Sequence, residues 1–597
     1  VSRSHFSLGH LPAIALASGV GLLLCALANA LARATDGYPM LLYWTGVLLI
    51  ALPAFYRLTS REATLGERLT LVFLLGLSLY GVKLFRDAPL FTFSDEFPHA
   101  FNANQITASH HLFHANSILK VTPYYPGLEG ATSALTRITG ISSYAAGAFV
   151  VGFARLTLVG ALFLLFRRVS GSARTAGLAA AIYTCSFNFL FWVAQYSYES
   201  LALPLLLVIM MALAEREAKG REALRAWTVP IVLAMAAVLV THHLTSYALI
   251  AFFAAIAVAY WYVKRSWSPP NPWRFAVLAA VLALAWLLIV ATSTIGYLSP
   301  VLSGAIKSIV HTVSGESPPR ELFGKADSAV GDTPLVARAL AVLAIAILVA
   351  GLPFGLREVW RRHRRQPFAL VFLVSAVAFF ATLVLRLAPP AWETGNRLSE
   401  FLFVGLAFVL AYAGFELLRR WPKRQRLVRG LLAGGISLAL IGNAISGWPW
   451  DSQLARPLKI SASGQTVVSP PLAMAEWADR NVTRGRFAAP TADANLLLVP
   501  GDKTVLAGPH PDVVDILEDP DLAGWQLPLL RDHKLRYVVS DLRPAAADGL
   551  RGYYFSTTGS DEGRLPTGVT VKFNRIPGVA RVYANGPITV FDLRGQR

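Results

Sequence analysis

Residues 368–385 read Phe-Ala-Leu-Val-Phe-Leu-Val-Ser-Ala-Val-Ala-Phe-Phe-Ala-Thr-Leu-Val-Leu, without a single charge. At 1.5 Å per residue a helix of that length runs ~27 Å, close to the ~30 Å of hydrocarbon in a bilayer. A run this long and apolar on every face is the signature of a membrane-spanning helix. Residues 11–32, 69–84, 229–240, 275–290 and 340–356 read the same way. Hydropathy along the whole chain yields about thirteen candidate spans. The Ala-rich stretches near residues 175–192 and 201–213 carry the weakest signal.

The rest of the composition agrees. The 597 residues are 55% hydrophobic and 15% charged, where a soluble protein carries about a quarter charged residues. The net charge of +19 does not point to nucleic acid, because its distribution follows the spans. Basic residues cluster in every second short loop: Arg57/Arg61/Arg68, Arg167/Arg168/Arg174, Arg216/Lys219/Arg221/Arg225, Lys264/Arg265/Arg274, Arg357/Arg361/Arg362/Arg364/Arg365 and Arg419/Arg420/Lys423/Arg424/Arg426/Arg429. Alternation of this kind is the positive-inside signal. It predicts a cytoplasmic N-terminus. The segments around Asp95, Gln195, His242, Ser314 and Glu393, and everything after Trp448, are then expected outside. Residues 11–32 are too long for a signal-peptide core. The two cysteines, Cys25 and Cys185, both sit in apolar runs, so neither a disulfide framework nor a Cys-based metal site is expected.

Two parts are expected: a membrane part, residues 1–447, and an outer α/β part, residues 448–597. The first outer segment, residues 87–143, is polar. Residues 99–120 within it suggest one or two interfacial helices, with Phe101, Leu112, Phe113, Ile118 and Leu119 as apolar contacts. Pro98 suits the first turn, with Ser94 or Asp95 near the cap. Residues 296–335, rich in Gly, Ser and Pro, read as a mobile outer loop. In the tail, residues 472–480 predict a helix, and residues 535–540, 579–584 and 587–593 predict strands. Asn585-Gly586 between the last two matches a type I′ hairpin turn.

Ionisable residues near a bilayer are costly to place and tend to be functional. Asp95, Glu96 and His99 lie in the first outer segment, where either carboxylate can reach the histidine on a helical turn; a solvated helix cap is the bland alternative. Glu199 stands at the outer mouth of a span, and His242 and His243 follow a long apolar helix. The histidines suit phosphate donation, metal binding or a polar re-entrant turn. Arg397 opens a late span from outside, against the positive-inside trend. It can snorkel, pair with Glu393 or Glu400, or hold a lipid phosphate with its planar fork. Lys307, Arg320 and Lys325 are weaker candidates for that phosphate. No P-loop, dinucleotide fingerprint or HExxH motif occurs. The sequon Asn481-Val-Thr483 is read as chance.

In this order of pieces the chain resembles the GT-C glycosyltransferases, multi-span enzymes that take sugar from a polyprenyl-phosphate carrier at the outer membrane face. The resemblance rests on Asp95-Glu96 with His99, on Tyr125-Pro-Gly-Leu-Glu129, on Tyr198-Glu-Ser-Leu-Ala-Leu-Pro204 and on Arg397. The tail segments Ala475-Glu-Trp-Ala-Asp-Arg480, Lys534-Leu-Arg-Tyr-Val-Val539 and Val579-Ala-Arg-Val-Tyr-Ala-Asn-Gly586 add to it. Oligosaccharyltransferases and arabinofuranosyltransferases are both possible neighbours. The resemblance implies a mainly α membrane protein: a GT-C-like bundle of about thirteen helices, interfacial helices in the first outer loop, and an extracytoplasmic C-terminal α/β domain. It further implies inverting sugar transfer from a polyprenyl-phosphate donor to a hydroxyl on a glycan, lipid or protein. Asp95 or Glu96 would act as general base. His99, Tyr125, Glu199, His242, His243 and Arg397 would bind substrate or its phosphate. Asp95 and Glu199 would hold any divalent cation, Mg²⁺ or Mn²⁺. The setting is the plasma membrane, with a bacterial composition. A lipid-linked glycan flippase and a non-catalytic scaffold with an outer binding domain are the alternatives.

Overall fold

The computed structural model describes the chain except residues 1–8, 35–38, 87–89, 94, 117, 220, 298, 300–332, 388–390, 449–452, 455–468, 500–502, 508–509, 523, 547–548, 551–561 and 597. Ser94, Ser314, Lys307, Arg320 and Lys325, with most of the expected mobile loop, lie outside the described residues. Among the described residues ten helices are long and apolar enough to cross a membrane, from Leu11–Ala34 to Pro422–Gly447. Leu224–Leu239 and Trp273–Ile289 are shorter apolar helices.

The expected span near residues 175–192 takes a different form. Helix Ala173–Tyr183 covers only half the depth, and the chain continues through turns to the 3₁₀ segment Trp192–Ala194. Irregular backbone at membrane depth needs protein around it to satisfy its polar groups, and nearly every residue from 175 to 200 is buried. Its carbonyls take side-chain donors: Asn443 Nδ2 donates to Cys185 O at 2.7 Å, and Arg155 donates to Phe189 O. In the other direction Trp192 Nε1 donates to Gly447 O at 2.6 Å. Gly447 is required there, since a Cβ would run into the Phe187 carbonyl.

The arginines of the predicted inner loops converge at one end of the bundle. Arg174 and Arg429 both bond to Thr59, Arg68 bonds to Leu58 O, and Arg57 pairs with Glu67 at 2.7 Å. Asp95, Tyr198, His242, His243 and Arg397 gather around cavities elsewhere in the fold.

In the first outer segment the helix is Glu96–Ser109, with Asp95 at its N-cap and Pro98 in the first turn. It stops short of the expected residue 120 because His110 and then Phe113 adopt positive φ. Phe101 and Ile118 contact the core of the tail, while Leu112 and Phe113 stay exposed. A second helix, Gly127–Thr139, follows Tyr125.

The tail contains a five-stranded sheet in the order Val505–Ala507, Arg486–Ala489, Leu535–Asp541, Ile588–Asp592, Ala580–Asn585. The first three strands are parallel and the last two pair antiparallel. All three expected strands are present, and the expected helix is Ser469–Asn481. The last turn differs from expectation: Asn585 pairs with Ile588, so Gly586-Pro587 forms the two-residue loop. Gly586 at φ +59° in first place with Pro587 second is the type II′ pattern; proline cannot take the positive φ that type I′ needs. The tail sits on the first outer segment through Phe97 and Ile118 against Ala475, Leu496 and Leu472.

Candidate active site

The two adjacent acids part at the start of helix Glu96–Ser109. The Glu96 carboxylate turns inward and is fully buried. It pairs with Lys83 and accepts from the backbone N–H groups of Tyr196, Thr92 and Phe93 at 2.9, 3.1 and 3.2 Å. Four donors fill its acceptor sites. Asp95 turns outward, makes no capping bond, keeps 45% of its side chain exposed, and lines a polar cavity of about 200 Å³.

His99, Trp192, Tyr198, Tyr297, Glu393 and Arg397 share that cavity. Among the described residues Arg397 is its one lining cation of fixed charge. The guanidinium pairs with the buried Glu199 through Nη1, and its Nη2 is 3.8 Å from Asp95 and 3.7 Å from Glu393. Trp192 stacks beneath it at 5.9 Å. Of the two partners expected for Arg397, Glu393 is in reach, and Glu400 lies deeper beside Glu199. His99 is held by Glu129, Nδ1 to Oε1 2.5 Å, with both side chains buried.

A second cavity of about 270 Å³ adjoins the first, with Tyr198, Tyr297, Glu393 and Arg397 lining both. His242 and His243 lie here. The His242 ring stacks on Tyr198 at 4.3 Å and its Nδ1 bonds to Thr245 Oγ1 at 2.8 Å. Burial, then the nearby His243 and Arg397 charges, hold the His242 imidazole well below its ordinary value, so it stands neutral. His243 Nδ1 is buried and finds no hydrogen-bond partner among the described residues. Tyr125 stands behind His243, ring centroids 5.2 Å apart, and lines neither cavity. Burial pushes its phenol up to about 12.

The second cavity shares the wall residues Ala248, Ala251, Leu398 and Phe401 with a groove of about 1600 Å³. The groove runs between helices His243–Lys264, Leu335–His363, Pro367–Leu385 and Trp392–Arg420. Its walls are mostly aliphatic and aromatic, with Arg357, Arg361 and Arg364 among the lining residues. Val258, Tyr262, Val374 and Val377 along it are exposed on the bundle surface, so it opens sideways.

No protein-family model matches the sequence, and no curated protein does. Solved structures match in fold. The arabinofuranosyltransferase AftD from Mycobacteria superposes with a TM-score of 0.50 at 17% identity, over 88% of this chain and 40% of that one. The Archaeoglobus fulgidus oligosaccharyltransferase, solved with Zn and sulfate, gives 0.52 at 13% identity, over 84% of this chain and 70% of that one. The chain has a GT-C fold. This chain thus spans well under half of AftD's length and most of the oligosaccharyltransferase's.

Set in the GT-C bundle, the expected site residues divide. Asp95, His99, His242, His243 and Arg397 line the joined cavities. Glu199 lies beneath Arg397, and Glu96 and Tyr125 are withdrawn. Of the expected metal pair, Asp95 is 3.8 Å from the Arg397 guanidinium and Glu199 pairs with it, so Arg397 stands between them. None of Lys83, Trp192 and Tyr297 is singled out from sequence, and Glu129 is only as the last residue of the Tyr125–Glu129 motif. Lys83 had a usable signal, a lysine in the last turn of a span that ends at the outer segment, as anomalous there as Arg397.

Proposed function

We propose that this protein transfers a sugar from a polyprenyl-phosphate donor to an acceptor hydroxyl at the extracytoplasmic membrane face, with inversion. The observation that carries the proposal is the adjacency of the three spaces. A cavity with two half-exposed carboxylates, Asp95 and Glu393, and one arginine adjoins a histidine-lined chamber, which shares wall residues with an apolar groove at the bundle surface. A ligand with a polar head and a long apolar tail fits that sequence of environments. The groove alone exceeds the about 300–1,000 Å³ of an ordinary small-molecule pocket.

In this reading Asp95 is the general base. Its carboxylate takes the proton of the acceptor hydroxyl as that oxygen bonds to the anomeric carbon. The bond from that carbon to the lipid phosphate breaks, and its electron pair leaves with the phosphate. Arg397 Nη2, held only loosely by Asp95 and Glu393, turns to the phosphate while Nη1 stays anchored on Glu199. His242, as a neutral imidazole with Nδ1 held by Thr245, and His243 beside it would bond phosphate oxygens. Glu96 is assigned to architecture, tying the start of its helix to Lys83 and Tyr196.

The test is transfer of labelled sugar from polyprenyl-phosphate donors by the purified protein in lipid, with acceptor supplied from envelope extracts. Wild type is expected to turn over, while Asp95→Asn and Arg397→Ala are not. Translocation of the donor across the bilayer without transfer would replace this proposal with a flippase.

A further inference from the structure

Far from the cavities in sequence, three side chains of the tail aim ligating atoms at one point. We propose that His510, Asp512 and His533 bind a zinc-class divalent transition metal that cross-links the sheet region. One ligand atom from each lies within 4.8 Å of the others. Asp512 Oδ2 is 2.5 Å from His533 Nε2 and 3.9 Å from His510 Nδ1. The two imidazole rings stand edge to face, 4.9 Å between centroids at 75°. Tetrahedral zinc, with bonds of about 2.0–2.2 Å, keeps its ligand atoms roughly 3.4 Å apart, so side-chain shifts of about 1 Å close the set. All three groups are partly exposed, which leaves room for those shifts.

The local sequence presents the ligands on fixed backbone. His510 is the N-cap of helix Pro511–Glu518 and Asp512 its second residue, with the intervening Pro511 fixing φ. His533 ends helix Leu527–Asp532 and precedes strand Leu535–Asp541. His510 Nδ1 now accepts from the Asp512 N–H at 3.3 Å. Metal binding would take that lone pair and leave the N–H to water. The loss is small, because first-turn N–H groups lack partners within a helix anyway. Two imidazoles and one carboxylate select zinc, cobalt or nickel over magnesium or calcium, which prefer oxygen. Three protein ligands leave a fourth position for water. The metal would join the start of one helix to the end of another, and the proposal is independent of sugar transfer.

The experiment uses the full chain without a polyhistidine tag, stripped with chelator and titrated with Zn²⁺ against a chromophoric chelator. Co²⁺ absorption reports the geometry. Wild type is expected to bind one equivalent with a tetrahedral cobalt spectrum and a rise in melting temperature on loading. His510→Asn and His533→Asn are each expected to weaken binding by about a hundredfold or more, the range that loss of even an outer-shell partner reaches. Should His533→Asn fail to fold, His510→Asn at the exposed helix cap carries the test. Absence of stoichiometric binding by wild type would overturn the proposal. So would binding that survives both substitutions and is lost in His111→Asn, which would place it at His110, His111 and His114 of the outer segment.

Discussion

Asp95 and Glu96 are neighbours of the same charge, yet their substitution should produce opposite kinds of failure. Glu96→Gln keeps shape but replaces two acceptor oxygens by one oxygen and one NH₂ group. Lys83 and some of the backbone N–H groups of Tyr196, Thr92 and Phe93 then lose their acceptor in a site with no water access. Each orphaned buried donor costs about 1–3 kcal/mol and a broken buried ion pair about 3–5 kcal/mol. These costs overlap because the groups form one network, so the expected destabilisation is about 3–5 kcal/mol. Asp95→Asn removes only a 3.8 Å contact from a half-exposed side chain, worth under about 1 kcal/mol. Its effect should fall on turnover, a drop of about 10²–10⁴, the range for a general base. Thermal unfolding in detergent and sugar-transfer rates on the same preparations separate the two. A Glu96→Gln protein that melts like wild type but has lost turnover, alongside an active Asp95→Asn, would refute the assignment and make Glu96 the base.

Four further outcomes are expected. Arg397→Lys should not restore the activity lost in Arg397→Ala, because a lysine cannot hold Glu199 and a phosphate at once through two arms of a fork; donor titration of initial rates checks this. Val374→Trp and Ala378→Trp, which fill the groove, should raise KM for long-chain donors and leave short-chain analogues unaffected; equal effects on both would detach the groove from the donor. Gly127→Ala forces a Cβ into Thr241 Oγ1 and its backbone, so overpacking of about 1–3 kcal/mol should shift the His242 segment and lower both melting temperature and activity. For His242 the folded state disfavours the proton, so the unfolded state binds more protons below its ordinary value of about 6.5. Stability is therefore present above that pH and lost as pH falls, and His242→Asn should flatten the decline in melting temperature between pH 7 and 5.

Much of the fold is legible because the membrane imposes a simple code. Residues 368–385 appear as helix Pro367–Leu385 because uncharged length is all that a span requires. The basic stretches around Arg57, Arg68, Arg174 and Arg429 meet in the fold, as the alternation of charge predicts. The stretch at 175–192 misleads because its hydropathy is that of a span while its backbone breaks at Tyr183. What permits the break is donors from elsewhere, such as Asn443, 258 positions away. The candidate site was legible as a set of anomalies, acids and an arginine near apolar spans, each conspicuous because desolvation makes such residues expensive.

The sequence by itself determined that the chain carries many helices long and apolar enough to cross a bilayer, and which ionisable residues lie next to them. Periodicity and composition report burial and sidedness, since both depend on each residue's own transfer energy. Only the tertiary structure decided that Asp95 faces the cavity while Glu96 is spent on Lys83, that Arg397 stands between Asp95 and Glu199, and that His510 and His533 converge on Asp512. Those are relations between side chains up to roughly 300 positions apart, set by how helices and strands cross, and a single residue's chemistry carries no record of its partner.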